Sequence, residues 1–263
     1  MSKTSLEKAQ KIAEVIDTLD RLRVECPWDR KQTNESLRPN TVEEVYELCD
    51  ALIRDDSQDI KKELGDVLLH VLFYSKIGEE QQRFDIGEVA DALNKKLIFR
   101  HPHVFGNTSV DGSAQKVAEN WEQIKLKEKG GNKTVLAGVP SALPAMIKAF
   151  RIQEKAANVG FDWEKPSEAL VKMNEELLEF EVEVKSDHRP DMEKELGDLL
   201  FSIINVARLL GINPENALEK TNLKFIKRFN HIEQAAHDEG RELKDMTLAE
   251  MDKYWNEAKN SER

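Results

Sequence analysis

Apolar residues recur every three or four positions along most of the chain, with polar residues between them, which is the pattern of amphipathic helices. No segment of the chain is predicted to form a strand. The pattern therefore predicts an all-α protein. The predicted helices cover residues 5–24, Asn40-Thr41 to a turn at Asp55–Gln58, 59–80, 86–100, 114–129, 143–158, 167–185, 191–210, 214–238 and 247–260.

Two of these helices are apolar on nearly every side. Asp66 is followed by the run Val67–Tyr74, and Asp198 is followed by the run Leu199–Ala207. A helix that is apolar all round belongs at the centre of a bundle. An aspartate at the start of such a run loses part of its solvent, which is unfavourable unless it is paired or binds a metal ion.

The acidic residues that lead into these runs form a repeated set. Two carboxylates three positions apart share one helix face, so two such pairs on neighbouring helices bring four carboxylates together. Their repulsion is relieved best by hard divalent cations, which prefer oxygen ligands. Each acid of the second half lies 132 residues after its counterpart, so that Glu176, Glu179, Glu195 and Asp198 follow Glu44, Glu47, Glu63 and Asp66.

A plainer interpretation fits one copy of this set. The glutamates would then pair with lysines on the surface of their own helix, and the aspartate would be an acidic residue near a helix N-terminus. Two copies with identical internal spacing favour the metal site over surface ion pairs.

Cationic and aromatic residues repeat in the same order after the acids. The pairs, each four residues apart on one helix face, are Lys96 and Arg100, Trp121 and Lys125, Lys224 and Arg228, and Trp255 and Lys259. Repetition on this scale indicates duplication of one helical module. With Gly130–Lys133 as the linker, the repeat predicts two tandem helical-bundle domains, residues 1–130 and 131–263.

The composition of the chain limits the classes of partner that it can bind. The net charge of −11 argues against direct binding to nucleic acid, although metal ions can bridge an acidic protein to a polyphosphate. The charged residues 2–22 do not resemble a signal peptide, and no run of about 18 apolar residues predicts a membrane span. The two cysteines, Cys26 and Cys49, lack metal-site spacing, which favours a reducing cytoplasm.

The residue types together predict a metal-assisted nucleoside triphosphatase. Clustered carboxylates suit Mg²⁺, lysine and arginine suit phosphate oxygens, and tryptophan stacks on a base. The chain contains no Gly-x4-Gly-Lys-Ser/Thr loop, so it is not a P-loop enzyme. Neither acidic set contains the Glu-x-x-His pair of a di-iron carboxylate bundle. The spacing does not distinguish loss of the γ phosphate from cleavage between the α and β phosphates.

The ordered motifs resemble the MazG family of nucleoside triphosphate pyrophosphohydrolases over essentially the whole chain. They are the duplicated Glu-Glu-x-x-Glu and Glu-x-x-Asp sets, with Cys26–Asp29, Arg100–Phe105 and Trp121–Lys125. The resemblance implies an all-α fold of the NTP pyrophosphatase type, a homodimer, and Mg²⁺-dependent hydrolysis of NTPs or dNTPs to a nucleoside monophosphate and pyrophosphate. It also implies a role in cleaning the nucleotide pool or in the stringent response.

The resemblance assigns roles to individual residues. The metal ligands would be Glu176, Glu179, Glu195 and Asp198, which with Glu175 as a base candidate form the catalytic set. The nucleotide would contact Lys172, Lys224, Arg228, Trp255 and Lys259. In the first half, Glu44, Glu47, Glu63 and Asp66 match the same metal positions.

The two halves differ at Lys172, which lies one turn before Glu176. Its counterpart in the first half is Asn40, which carries no charge. The difference predicts that the second half is the main catalytic centre. The alternative to an enzyme is a nucleotide-sensing protein that binds without turnover. His70, one turn after Asp66, is interpreted as a hydrogen-bonded core histidine rather than as a ligand.

Overall fold

The computed structural model describes residues 4–109, 112, 116–117, 124 and 134–262. These residues form α-helices, three short 3-10 turns and connecting loops, and none of them lies in a strand. The prediction of an all-α protein is therefore confirmed. The chain divides into two compact units, Met1–Ser109 and Val110–Arg263, here called unit 1 and unit 2.

Unit 1 contains four long helices and one short one. The order is α1 Ser5–Glu25, α2 Asn34–Arg54, α3 Ser57–Glu80, α4 Ile86–Arg100 and α5 Pro102–Phe105. The helix α2 packs along α3, and α1 and α4 also contact α3. The predicted helices at residues 5–24, 59–80 and 86–100 agree with these bounds to within two residues.

The predicted start of α2 at Asn40-Thr41 was wrong. The helix begins at Asn34, because the Thr33 side chain accepts a hydrogen bond from the Ser36 backbone N–H and the Ser36 hydroxyl accepts one from the Thr33 N–H. Pro39 lies inside the helix. Proline has no backbone N–H, so the helix lacks one backbone hydrogen bond at this position. The helix nevertheless continues from the reciprocal cap past Pro39.

The core of unit 1 lies where α1, α2 and α3 meet. Its buried apolar residues are Leu19, Leu37, Leu72, Phe73 and Ile77. One cation is buried beside them: Arg23 pairs with Glu80, with Nη2 at 2.6 Å from Oε2, and lies 5.7 Å from the centroid of the Phe73 ring. Arg23 also donates to the backbone carbonyls of Asp29 and Gln32. It therefore ties the loop after α1 to the bundle.

Unit 2 repeats the paired-helix arrangement. Its described helices are α6 Ala145–Ala157, α7 Pro166–Ser186, α8 Arg189–Leu209, α9 Pro214–Asp238 and α10 Leu248–Ser261. The helix α7 packs along α8 as α2 packs along α3, and α9 packs along α10. A small core of Ile232, Ala236 and Met246 lies between α9 and α10.

The apolar run of α8 is not fully enclosed in unit 2. Leu200 is 48% exposed, Phe201 is 44% exposed and Ile203 is 42% exposed, whereas Ile204 and Val206 are buried. The prediction of a helix surrounded on all sides therefore fails for one face of α8. Contacts with α6, α7 and α9 cover the other side.

Several predictions fall in the remaining part of the chain. The predicted helix 114–129, apart from residues 116–117 and 124, lies outside the described residues, as do Trp121, Lys125 and the linker Gly130–Lys133. The boundary between residues 130 and 131 therefore stays a prediction. Among the described helices, none combines the length and the apolar character that crossing a membrane requires.

Candidate metal centres

The acidic residues of unit 1 meet between α2 and α3. Glu44 on α2 and both Glu63 and Asp66 on α3 each place one carboxylate oxygen within 4.8 Å of the others. Glu63 and Asp66 are three residues apart, so the helix itself puts them on one face. These three residues are called the N-terminal acid cluster.

Burial makes this cluster unfavourable on its own. Glu63 is 5% exposed; its Oε1 accepts a hydrogen bond from Lys62 Nζ at 2.8 Å, but its Oε2 is buried without a partner. Burial raises the pKa of Glu44, and the charges of Asp66, Glu47 and Glu63 raise it further. An orphaned carboxylate oxygen among like charges is the environment that a divalent cation relieves, so the residues fit a metal ion.

Unit 2 contains the corresponding group. Glu176 and Glu179 on α7 and Glu195 on α8 place one oxygen each within 4.8 Å of one another. Glu176 is 8% exposed and Glu195 is 9% exposed, and Oε2 of Glu195 is again buried without a partner. These residues are called the C-terminal acid cluster. The same orphaned atom thus recurs at equivalent positions, Glu63 and Glu195.

The structure brings together three of the four predicted carboxylates in each unit, and the fourth differs. In unit 1 it is Glu47, whose charge nevertheless raises the pKa of Glu44. In unit 2 it is Asp198, which lies 3.9 Å from the Nζ of Lys194. The three converging carboxylates therefore differ by one position between the two units.

Lysines contact the buried glutamates directly. Lys172 Nζ is 2.7 Å from Glu176 Oε1 and 3.5 Å from Glu175 Oε2, and the bond to Glu176 raises the pKa of Lys172. Lys194 Nζ is 2.6 Å from Glu195 Oε1. Lys62 and Lys194 were missed from the sequence, although both stand immediately before the buried glutamate of their unit.

The helix surface beside the acids is open. A Cβ placed on either Gly65 or Gly197 would meet nothing within 4 Å. Both glycines immediately precede an acid of the sets, Asp66 and Asp198. The surface of α3 and of α8 is therefore open at the level of the carboxylates.

The predicted nucleotide contacts of α9 and α10 form a second group. The Arg228 guanidinium lies 5.4 Å from the Trp255 ring centroid, and its Nη2 is 2.7 Å from Glu262 Oε2. Trp255 also packs against Phe225, with ring centroids 5.1 Å apart. No sequence signal indicated Glu262, because it lies 34 residues from Arg228.

This group is separate from the C-terminal acid cluster in its bonding. Within the described ranges, no hydrogen bond, ion pair or ring contact joins Arg228 or Trp255 to the acids of α7 and α8. Lys224 and Lys259 are exposed and form no ion pair with any described residue.

The structure decides the interpretation of His70. His70 is 7% exposed and bonds through Nδ1 to Thr41 Oγ1 at 3.0 Å, so the prediction of a hydrogen-bonded core histidine is confirmed. Burial lowers its pKa, while the charge of Asp66 opposes that shift.

Comparison with known proteins agrees with this duplicated geometry. The model of the MazG nucleotide pyrophosphohydrolase domain matches twice, at residues 32–105 and 164–233, which together are more than half of the chain. The chain belongs to the MazG family. One MazG match lies within each unit and contains its whole acidic set, whereas Trp255 and Lys259 lie beyond the second match.

Relatives of this chain extend the likeness, two of them over nearly their whole length. A Thermotoga maritima protein named nucleoside triphosphate pyrophosphohydrolase/pyrophosphatase MazG is 43% identical over 95% of this chain and 96% of its own length. The nucleoside triphosphate pyrophosphohydrolase of Escherichia coli K12 is 40% identical over 90% of this chain and 91% of its own. YabN of Bacillus subtilis, named uncharacterized, is 48% identical over 90% of this chain and 49% of its length.

Proposed function

We propose that this MazG-family chain is a Mg²⁺-dependent nucleoside triphosphate pyrophosphohydrolase that cleaves NTPs and dNTPs between the α and β phosphates. The names of the full-length relatives support hydrolysis of a nucleoside triphosphate anhydride. The observation that carries the metal dependence is the buried carboxylate oxygen without a partner, present at both Glu63 and Glu195. Buried carboxylates of this kind call for a cation.

The C-terminal acid cluster would hold the metal ions, with Asp198 added from the next turn of α8. Glu176, Glu179 and Glu195 already converge, and hard divalent ions take oxygen ligands of this type. When bound, Mg²⁺ neutralises the polyphosphate and acidifies a water molecule. Glu175, exposed and 3.5 Å from Lys172, is the base candidate for the proton of the attacking water.

The nucleotide would be held by cations of α7, α9 and α10. The ammonium group of Lys172 would leave its ion pair with Glu176 and bind a phosphate oxygen instead. The guanidinium of Arg228 would break its ion pair with Glu262 and bind a phosphate, while it stays over the ring of Trp255. Lys224 and Lys259 would add positive charge at the surface. The ring of Trp255 would stack on the base.

The N-terminal acid cluster would bind a cation as well, with Glu47 completing the set of Glu44, Glu63 and Asp66. It would be the weaker catalytic centre, because Asn40 stands where unit 2 has Lys172. The two predicted domains, residues 1–130 and 131–263, would thus share a fold and differ in activity.

The exposed apolar face of α8 supports the proposed homodimer. Leu200, Phe201 and Ile203 present large side chains to solvent, and a second copy of the chain would cover them. The proposed location is the cytoplasm, where nucleoside triphosphates are available. The proposed role is to clean the nucleotide pool by removing abnormal nucleoside triphosphates, or to limit a nucleotide of the stringent response.

Product identity tests the proposed reaction. Incubation of the full chain with Mg²⁺ and a panel of NTPs and dNTPs is expected to release a nucleoside monophosphate and pyrophosphate in equal amounts, and a chelator is expected to stop it. Release of orthophosphate and a nucleoside diphosphate would contradict cleavage between the α and β phosphates. Saturable binding with no product would instead indicate a nucleotide sensor.

Replacing Lys172 is expected to weaken substrate binding. Lys172→Met removes the ammonium group that lies beside Glu176, so KM for a nucleoside triphosphate should rise about tenfold, as for a lost hydrogen bond to a charged group. Steady-state kinetics measure this change. Lys185→Met, at the other end of α7, is the matched control and should leave KM unchanged. An equal change in both variants would show that only the overall charge matters.

A further inference from the structure

A partly buried polar network joins α2 to α3 in unit 1. Thr41 Oγ1 lies 3.0 Å from His70 Nδ1, 2.6 Å from the Tyr74 hydroxyl and 3.0 Å from the carbonyl oxygen of Leu37. His70 is 7% exposed, and Tyr74 packs at the edge of the apolar core. Thr41 is thus the one hydroxyl on which the three contacts converge.

The donors in this network follow from counting protons. A threonine hydroxyl has one proton and two lone pairs, and the Leu37 carbonyl can only accept. All three contacts are satisfied together when Thr41 donates to Leu37 and accepts from both His70 Nδ1–H and the Tyr74 O–H. Two side chains of α3 therefore hold one side chain of α2.

The network lies next to the N-terminal acid cluster on both helices. Thr41 precedes Glu44 by three residues on α2, so the two share a face. His70 follows Asp66 by four residues on α3 and shares its face in the same way. The crossing of α2 and α3 is therefore fixed by hydrogen bonds about one turn from the carboxylates that the two helices contribute.

Unit 2 has no such link at the equivalent positions. The counterparts of Thr41, His70 and Tyr74, each 132 residues later, are Met173, Ser202 and Val206. Ser202 donates to the carbonyl of Leu199 on its own helix, and Met173 and Val206 carry no hydrogen-bonding group of comparable strength. The two units therefore hold similar carboxylates on differently connected helix pairs.

We propose that Thr41, held by His70 and Tyr74, is a positioning residue for the cation-binding carboxylates of the N-terminal acid cluster. This inference rests on the proposed function, namely that the cluster binds a divalent cation. Partners that orient metal ligands without touching the metal typically change its affinity about 10- to 100-fold when they are removed. The C-terminal acid cluster lacks the device, so the effect is confined to one site of the chain.

Binding of Mn²⁺ to the full-length chain tests the proposal. Glu176→Gln with Glu195→Gln disables the C-terminal acid cluster and leaves one site, whose affinity is read by electron paramagnetic resonance of free Mn²⁺. On this background, Thr41→Val keeps the shape and removes the hydroxyl, and is expected to lower the affinity about tenfold. Thr41→Ser restores the hydroxyl and should restore the affinity.

Controls separate positioning from stability and from the proposed function. Ser202→Ala is the matched control, because that hydroxyl bonds only within α8, and it should leave Mn²⁺ affinity unchanged. A lower melting temperature for Thr41→Val with unchanged affinity would overturn the proposal. If Thr41→Val does not fold, Tyr74→Phe decides by the same criterion. Absence of Mn²⁺ binding in the parent would instead refute the metal site itself.

Discussion

Glu195→Gln is expected to reduce pyrophosphate release at least about 100-fold. The substitution keeps the size of the side chain and removes the charge of a residue that is 9% exposed and has one oxygen without a partner. Removing a residue that only hydrogen-bonds to a metal ligand typically lowers metal affinity or activity about 10- to 100-fold. Removing the ligand itself should lower activity by at least as much. The measurement is kcat/KM for a nucleoside triphosphate at saturating Mg²⁺.

Glu63→Gln is the matched control for this experiment. Glu63 occupies the same position in unit 1, with the same burial, the same adjacent lysine and the same orphaned oxygen. Because unit 1 has Asn40 in place of Lys172, most of the activity should survive in Glu63→Gln. The reverse result, with Glu63→Gln inactive and Glu195→Gln active, would make unit 1 the main catalytic centre.

Phe73→Ala is expected to destabilise unit 1 by about 3–5 kcal/mol, the usual cost of emptying the space of a buried phenylalanine. Phe73 is 3% exposed, belongs to the core with Leu19 and Leu37, and supports the guanidinium of Arg23. The loss therefore includes a ring–cation contact as well as apolar packing. Urea unfolding followed by circular dichroism should show the transition of unit 1 at a lower urea concentration.

Val71→Ala provides the comparison on the same helix. Val71 lies two residues before Phe73 on α3 but is 42% exposed, and alanine favours helix more than valine does. The expected change is within about 0.5 kcal/mol of zero. A similar loss in both variants would mean that the side chain of Val71 is buried in solution.

The helices were largely predictable from the chain. Local rules of spacing and capping act within a few residues, and they located α1, α3, α4 and the described helices of unit 2 to within about two residues. The start of α2 was predicted at Asn40-Thr41 and was wrong, because the helix begins earlier, at the reciprocal cap of Thr33 and Ser36. That cap uses serine where the usual signature has glutamate or glutamine, so it was hard to recognise.

The candidate site was also predictable only in part from the sequence. Spacing alone placed Glu63 with Asp66, and Glu176 with Glu179, on single helix faces, because the period of a helix is set by its backbone. Which carboxylates converge across two helices depends on how the helices cross. Glu47 and Asp198 therefore fall outside the closest groups, although their spacing is the same as that of the others.

The sequence by itself determined that the protein is helical, that its acidic module occurs twice and that each module places carboxylate pairs on single helix faces. Only the tertiary structure decided which oxygens are buried without partners, that Arg228 pairs with Glu262, and that Thr41 bonds to His70 and Tyr74. The physical reason is how far apart along the sequence the interacting residues lie. Helix period and caps are encoded within a few residues, whereas these contacts join residues 29 to 34 positions apart through the packing of separate helices.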